Sequence, residues 1–186
     1  MSADPETIRQ EALSRLISLL ESIDGSKVTL IGDTMLDRYH HGFANNLNST
    51  APVPVLKILD SEESPGASAH IAIGLTSFGM DVSFHTAIGD DAEASSIMTS
   101  LKSNGIDIGN IIQVDDRSTL TKIRFFASRE SLLDRRQILL QADRGPRETL
   151  EESVSKSLTD SALTNIPDSC ASVSYTHLTL PTILLV

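Results

Sequence analysis

Apolar residues change rhythm several times along this chain, and each change marks an element. Ile8, Ala12, Leu16, Leu19 and Ile23 recur at helical spacing. Asp4 and Pro5 supply an N-cap and a first helical residue, and Gly25 a stop. The run KVTLIGD (27–33) predicts a short buried strand ending in a tight turn. In PVPVLKILD (52–60), Val53 and Val55 alternate with prolines, which favours an edge or lid position over a central strand. GASAHIAIGLTSFG (66–79) is small or apolar along most of its length and predicts a buried helix. DVSFHTAIGDD (81–91) predicts a strand running into a turn. An acid then caps a helix that carries Ile97, Met98 and Leu101 and stops at Gly105. TLTKIRFFAS (119–128) and RQILLQAD (136–143) predict two more strands. Leu150, Val154 and Leu158 predict a last amphipathic helix, with Glu148, Glu151 and Glu152 in its first turns, where the helix dipole favours acids.

Strands alternating with helices imply an α/β fold around a mainly parallel sheet. The extra strands around Tyr39–Leu59 and Thr119–Ala127 have no helix beside them and predict a small antiparallel flap. At 186 residues and 40% hydrophobic, the chain is long and apolar enough to bury a core. No apolar run approaches the ~20 residues that span a bilayer. The N-terminus is too acidic and polar for a signal peptide. The single cysteine, Cys170, excludes an internal disulfide and a multi-thiolate zinc site, and points to a reducing cytosol. A net charge of −10 makes nucleic acid and anionic membranes poor partners. A local basic cluster can still hold a small anion.

GDTMLD places Asp33 and Asp37 just past the first strand, where open α/β sheets bind ligands. Each is either a sugar-hydroxyl acceptor or a turn or cap aspartate. PGAS leads into a helix whose amides either meet a ligand or simply start the helix. Lys122 and Arg124, two apart on a strand, share a face, as phosphate grips or as solvated flap charges. GASAH lacks the closing glycine of a nucleophile elbow, so Ser68 is a poor hydrolase nucleophile. The adjacent His40 and His41 point to opposite faces of a strand, which disfavours a shared metal. Neither a Walker lysine motif nor G-x-G-x-x-G is present.

The stretches VTLIGDTMLDRYHHG, APVPVLKI, PGASAHIAIGLTSFG, AIGDD, TLTKIRF and QILLQAD, in this order and spacing, resemble the PfkB (ribokinase-like) sugar kinases. The branch most similar is the heptose 7-phosphate kinases, over about Val28 to Leu163. The resemblance implies a ribokinase-like three-layer α/β/α sandwich with a β-lid, and transfer of the ATP γ-phosphate, with Mg²⁺, to the anomeric hydroxyl of a sugar phosphate. It implies that Asp37 accepts from a sugar hydroxyl and that Gly66 and Ala67 stand where a Gly-Gly pair meets the sugar. Lys122 and Arg124 would lie near the phosphorylated end, and a homodimer through the lid is implied for the intact protein. The chain departs from the pattern at several places. GGAAN is GASAH here, so Ala67 replaces a glycine and His70 an asparagine that holds sugar hydroxyls. Gln141 replaces an arginine, although Asp143 remains, and Thr50 stands where Glu is usual.

Beyond about Leu163 the pattern calls for a strand, a DY-x-K-G turn and a GAGD motif whose Asp is the catalytic base. No glycine follows Gly145 in this chain. The expectation is therefore an N-terminal, substrate-side part (1–172) that lacks the base and the nucleotide site, and a non-native tail (173–186) similar to a translated sequencing adapter. The alternative is a non-catalytic sugar-phosphate-binding half-domain complete as written.

Overall fold

A computed structural model describes residues 4–128 and 137–175. The apolar run at 27–33 forms β1 (Lys27–Gly32), whose Val28, Thr29 and Leu30 are buried. It is flanked by β4 (Asp81–Ile88) and β8 (Ala171–Tyr175), and β5 (Ile111–Gln113) completes the order β5-β4-β1-β8. Every pairing in this sheet is parallel, as the strand–helix alternation predicts.

Two helices cover one face. α2 (Ser68–Ser77) contributes Ala69 and Ala72, and α3 (Ala92–Ser103) contributes Ile97 and Leu101, all packed with Leu30, Val82 and Phe84. α4 (Glu152–Asn165) lies against β1 and β4 and buries Leu158 and Ala162. Leu158 faces Ile31 and Ala87. Those residues alternate with Leu30 and Phe84 along their strands, so α4 covers the opposite face. The result is three layers. Asp91 caps α3 by accepting from Ala94 N–H at 3.0 Å, and Gly105, at φ +77°, ends it. Glu148 lies outside α4, which begins only at Glu152.

α1 (Pro5–Ile23) forms as its spacing predicts, yet none of its residues is buried. Ile8, Leu16 and Leu19 are each more than half exposed. Periodicity specifies which face of a helix is apolar, not what covers it. No helix among the described residues is long and apolar enough to cross a membrane.

The expected flap is a second four-stranded sheet, β3-β2-β6-β7, built from β2 (Thr34–Leu47), β3 (Pro54–Ala67), β6 (Thr121–Ser128) and β7 (Gln137–Arg144). Two corrections follow. The lid begins at Thr34, not near Tyr39. It is also mixed rather than antiparallel, because β2 and β6 pair in parallel while β3 and β7 run back along them. Both outgoing strands follow a parallel core strand, β1 or β5, and so leave the core in the same direction.

β8 takes in Val173, Ser174 and Tyr175, the first residues of the expected tail, in register with Leu30, Ile31 and Gly32 of β1. Gly32 permits this approach, since a Cβ there would run into the Tyr175 carbonyl. Residues 176–186 lie outside the described residues.

Candidate substrate site

The two aspartates that the sequence groups together separate in the fold. Asp33 sits in the turn between β1 and β2 and lines a crevice of about 260 Å³ at the carboxyl ends of β1, β4 and β8. Arg117 lines the same crevice and donates to the Glu148 and Thr149 carbonyls at 3.2 and 3.4 Å. Nothing in the local pattern singles out Arg117, which reaches the crevice from a loop. Asp37 is neither a turn nor a cap residue; it lies within β2, on the lid.

Register fixes what surrounds it. Asp37 pairs with Lys122 and Tyr39 with Arg124 across the β2–β6 ladder. Lys122 pairs in turn with Asp143, and Arg124 with Gln141. Gly66 stands opposite Met35 and Ser64 opposite Asp37. With a side-chain period of two, Asp37, Tyr39, Lys122, Arg124, Gln141 and Asp143 occupy one face of the lid. Leu36, which belongs to the core cluster, and Arg38 occupy the other.

On this face Arg124 Nη1 donates to Asp37 Oδ1 at 2.6 Å, with both side chains largely buried. The same nitrogen reaches the Tyr39 hydroxyl at 3.3 Å, and the guanidinium lies 5.4 Å from the Tyr39 ring centroid. The hydrogen bond and charge of Asp37 raise the Arg124 pKa above its ordinary value, so the group is a permanent cation. The second Asp37 oxygen lies against Gly66, where an added Cβ would strike it. The requirement for glycine at 66 therefore has a steric reason visible only in the fold. Lys122 is half-buried and has no ion-pair partner among the described residues, although carboxylates flank it in both ladders. Gln141 donates to Asp143 at 2.9 Å.

Ala67 and His70 enter from the start of α2. Ala67 is the N-cap at φ 52° and ψ −128°, in the half of backbone space that favours glycine. Ser68 is fully buried, donates its N–H to the Asp33 carbonyl at 3.1 Å and its hydroxyl to the same oxygen at 2.6 Å. Its hydroxyl also meets Thr34 Oγ1 at 2.9 Å, which accepts from Thr86 at 3.0 Å. Ser68 is therefore a structural tie, and its amide is not open to a ligand. His70 is exposed on the first turn of α2 and is not hydrogen-bonded or ion-paired to the lid among the described residues. The structure thus brings Asp37, Gly66, Lys122 and Arg124 together, sets Ala67 beside Gly66, and leaves His70 apart. Thr50 lies in the β2–β3 connection and bonds to Asn48.

His40 and His41 face opposite ways, as the strand period predicts. His40 stacks on Phe125 at 5.1 Å and bonds Ser61, while His41 stacks on Phe126 at 5.2 Å and meets Glu62. No group of three or more potential metal-ligating side chains converges among the described residues.

Comparison with known proteins agrees with this architecture. The chain is 36% identical over 110 residues to the bifunctional protein HldE of Pseudomonas syringae pathovar tomato; the match covers 59% of this chain and 23% of that protein. Among solved structures, a microbiome-derived acarbose kinase superposes with a TM-score of 0.56 at 19% identity, covering 81% of this chain and 45% of its own. A ribokinase from Cryptococcus neoformans, solved in complex with ADP, superposes with a TM-score of 0.50 at 18% identity, covering 79% and 48%. The chain therefore spans about a quarter of the curated relative and under half of each solved kinase. The fold is ribokinase-like, and the profile described as pfkB family carbohydrate kinase matches residues 26–153. By that match over most of its length, the chain belongs to the pfkB family of carbohydrate kinases.

Proposed function

We propose that this chain forms the substrate side of an ATP-dependent carbohydrate kinase that phosphorylates the anomeric hydroxyl of a sugar phosphate, with heptose 7-phosphate as the substrate. The observation that carries the reading is the Lys122 ammonium, without an ion-pair partner among the described residues, on the same lid face as the Asp37–Arg124 pair. A carboxylate beside a guanidinium can accept from sugar hydroxyls, while a neighbouring ammonium grips phosphate. Gly66 and Ala67 would present backbone to the sugar, and His70 would close the site from α2 once a ligand fills the gap. ATP and Mg²⁺ belong, in this reading, to the intact enzyme. No glycine follows Gly145, so no Gly-rich turn in that stretch cradles a phosphoryl group. This chain is accordingly proposed to bind sugar phosphate without turnover.

Calorimetry with heptose 7-phosphate, fructose 6-phosphate and ribose tests this. Charge-assisted contacts contribute about 1.5–3 kcal/mol each, so Lys122→Ala should weaken sugar-phosphate binding roughly tenfold or more and leave ribose unaffected. Equal affinity for heptose 7-phosphate in both forms removes Lys122 from the site. ADP production above a buffer control that disappears in Asp37→Ala would refute the absence of turnover.

A further inference from the structure

The lid has little apolar anchorage. Its buried residues concentrate at the root, at Thr34, Met35, Leu36, Pro65, Gly66 and Thr121, with Ala127 buried farther along β6, while most of β3 and β7 is exposed. A sheet held by one narrow root needs some other restraint to keep a fixed orientation.

That restraint lies on the lid face opposite Asp37. Arg38 of β2 donates through Nε to Glu63 of β3 at 2.6 Å and through Nη2 to Glu93 Oε1 at 3.3 Å. Arg144, at the end of β7, donates to the same Glu93 oxygen at 3.2 Å. Glu93 is in the first turn of α3, and its side chain is only 9% exposed. One residue pair earlier, Asp91 accepts the Thr119 N–H at 2.9 Å, just before β6 begins, and lies 3.6 Å from Arg144 Nη2. One turn of α3 is thus tied to β2 and β7 directly, to the root of β6 through Thr119, and to β3 through Arg38 and Glu63. Two guanidiniums and the helix N-terminus offset the cost of burying the Glu93 carboxylate. Burial disfavours a charged Arg38, yet the hydrogen bonds and charges of Glu63 and Glu93 outweigh it and raise its pKa.

We infer that Glu93 is a positioning residue: it fixes the tilt of the lid over the core, and with it the placement of Asp37, Lys122 and Arg124. Arg38 directly follows Asp37 on β2, so any rotation of the strand that releases Arg38 also moves Asp37 and its ladder partner Lys122. The consequence for ligand rests on the function proposed above, but the mechanical claim does not.

The test is hydrogen exchange read by mass spectrometry on wild type, Glu93→Gln and Arg144→Met. Glu93→Gln keeps shape and removes the charge that both arginines share. Amides of β2, β3, β6 and β7 beyond the root should exchange at least tenfold faster, while those of β1, β4 and α2 stay within about twofold of wild type. Arg144→Met leaves Glu93 paired with Arg38, so it keeps the test decisive where Glu93→Gln fails to fold. Its loosening should be strongest in β6 and β7. A uniform rise over both sheets in Arg144→Met, or no rise in either variant, overturns the inference. Calorimetry with heptose 7-phosphate supplies the second readout. Selective lid loosening with a tenfold or greater loss of affinity supports the positioning role, and loosening with unchanged affinity overturns it. Absence of binding to the wild type would sink the proposed function, and the exchange data would still decide whether Glu93 holds the lid.

Discussion

Ala67→Gly should stabilise this protein, against the usual direction for such a change. Ala67 joins β3 to α2 at φ 52° and ψ −128°. In that half of backbone space a Cβ crowds the neighbouring carbonyl, and a non-glycine residue there costs about 1–3 kcal/mol. Glycine removes the strain but adds about 0.4–1 kcal/mol of chain entropy to the unfolded state. The net gain is about 0–2.6 kcal/mol. The geometry cannot relax easily, because the next residue, Ser68, is fully buried and tied to the Asp33 carbonyl through both its N–H and its hydroxyl. For a chain of this size each kcal/mol raises Tm by about 2–4 °C, so the expected rise is at most about 10 °C. Urea denaturation should show a higher midpoint at unchanged slope. Ala69→Gly is the control: Ala69 is fully buried inside α2, where glycine costs about 1 kcal/mol. If both substitutions lower the midpoint by the same amount, Ala67 carries no strain and the reasoning fails.

Gly66→Ala should act in the opposite sense, because the added methyl would strike the Asp37 carboxylate and Met35; a loss of about 1–3 kcal/mol in urea denaturation is expected, and an unchanged midpoint would contradict the packing described. Acid should destabilise the fold in two stages. Burial holds the His85 pKa below its ordinary value, so the imidazole is neutral in the fold; its contribution is complete above the unfolded value of about 6.5 and is lost as pH falls through the lower folded value. Burial alone would raise the Asp91 carboxyl, but hydrogen bonds from Thr119 and Ala94 and the Arg144 charge hold it low, so its contribution is complete above the unfolded value of about 3.9 and is lost on further acidification. Urea midpoints measured across pH in His85→Leu should lose the first stage and keep the second; an unaltered first stage would assign it to another group. Ending the chain after Ser172 should lower Tm relative to ending it after Tyr175, because Val173, Ser174 and Tyr175 pair with β1; equal melting would mean that this edge contributes nothing to stability.

Much of the fold is legible in local pattern, because the periods of helix and strand are written in neighbouring residues. Spacing alone locates α1, β1, α2, β4 and α3 closely, and the strand period alone puts Lys122 and Arg124 on one face and His40 and His41 on opposite faces. The order of motifs, from GDTMLD to QILLQAD, carries the family. Local pattern also marks Ala67 as a departure from glycine, but the positive φ that makes it costly is a property of the β3–α2 junction.

Only the tertiary structure sends Asp33 to a crevice and Asp37 to the lid, sets β2 parallel to β6, and brings Arg124 onto Asp37 from 87 positions away. It alone joins Arg38 and Arg144 to Glu93 across 55 and 51 positions, and leaves the apolar stripe of α1 uncovered among the described residues. The physical reason is the same in each case. Hydrophobic period encodes which side of an element turns inward, whereas register, strand direction and charge pairing depend on which distant element lies opposite, and that is settled only when the sheets assemble.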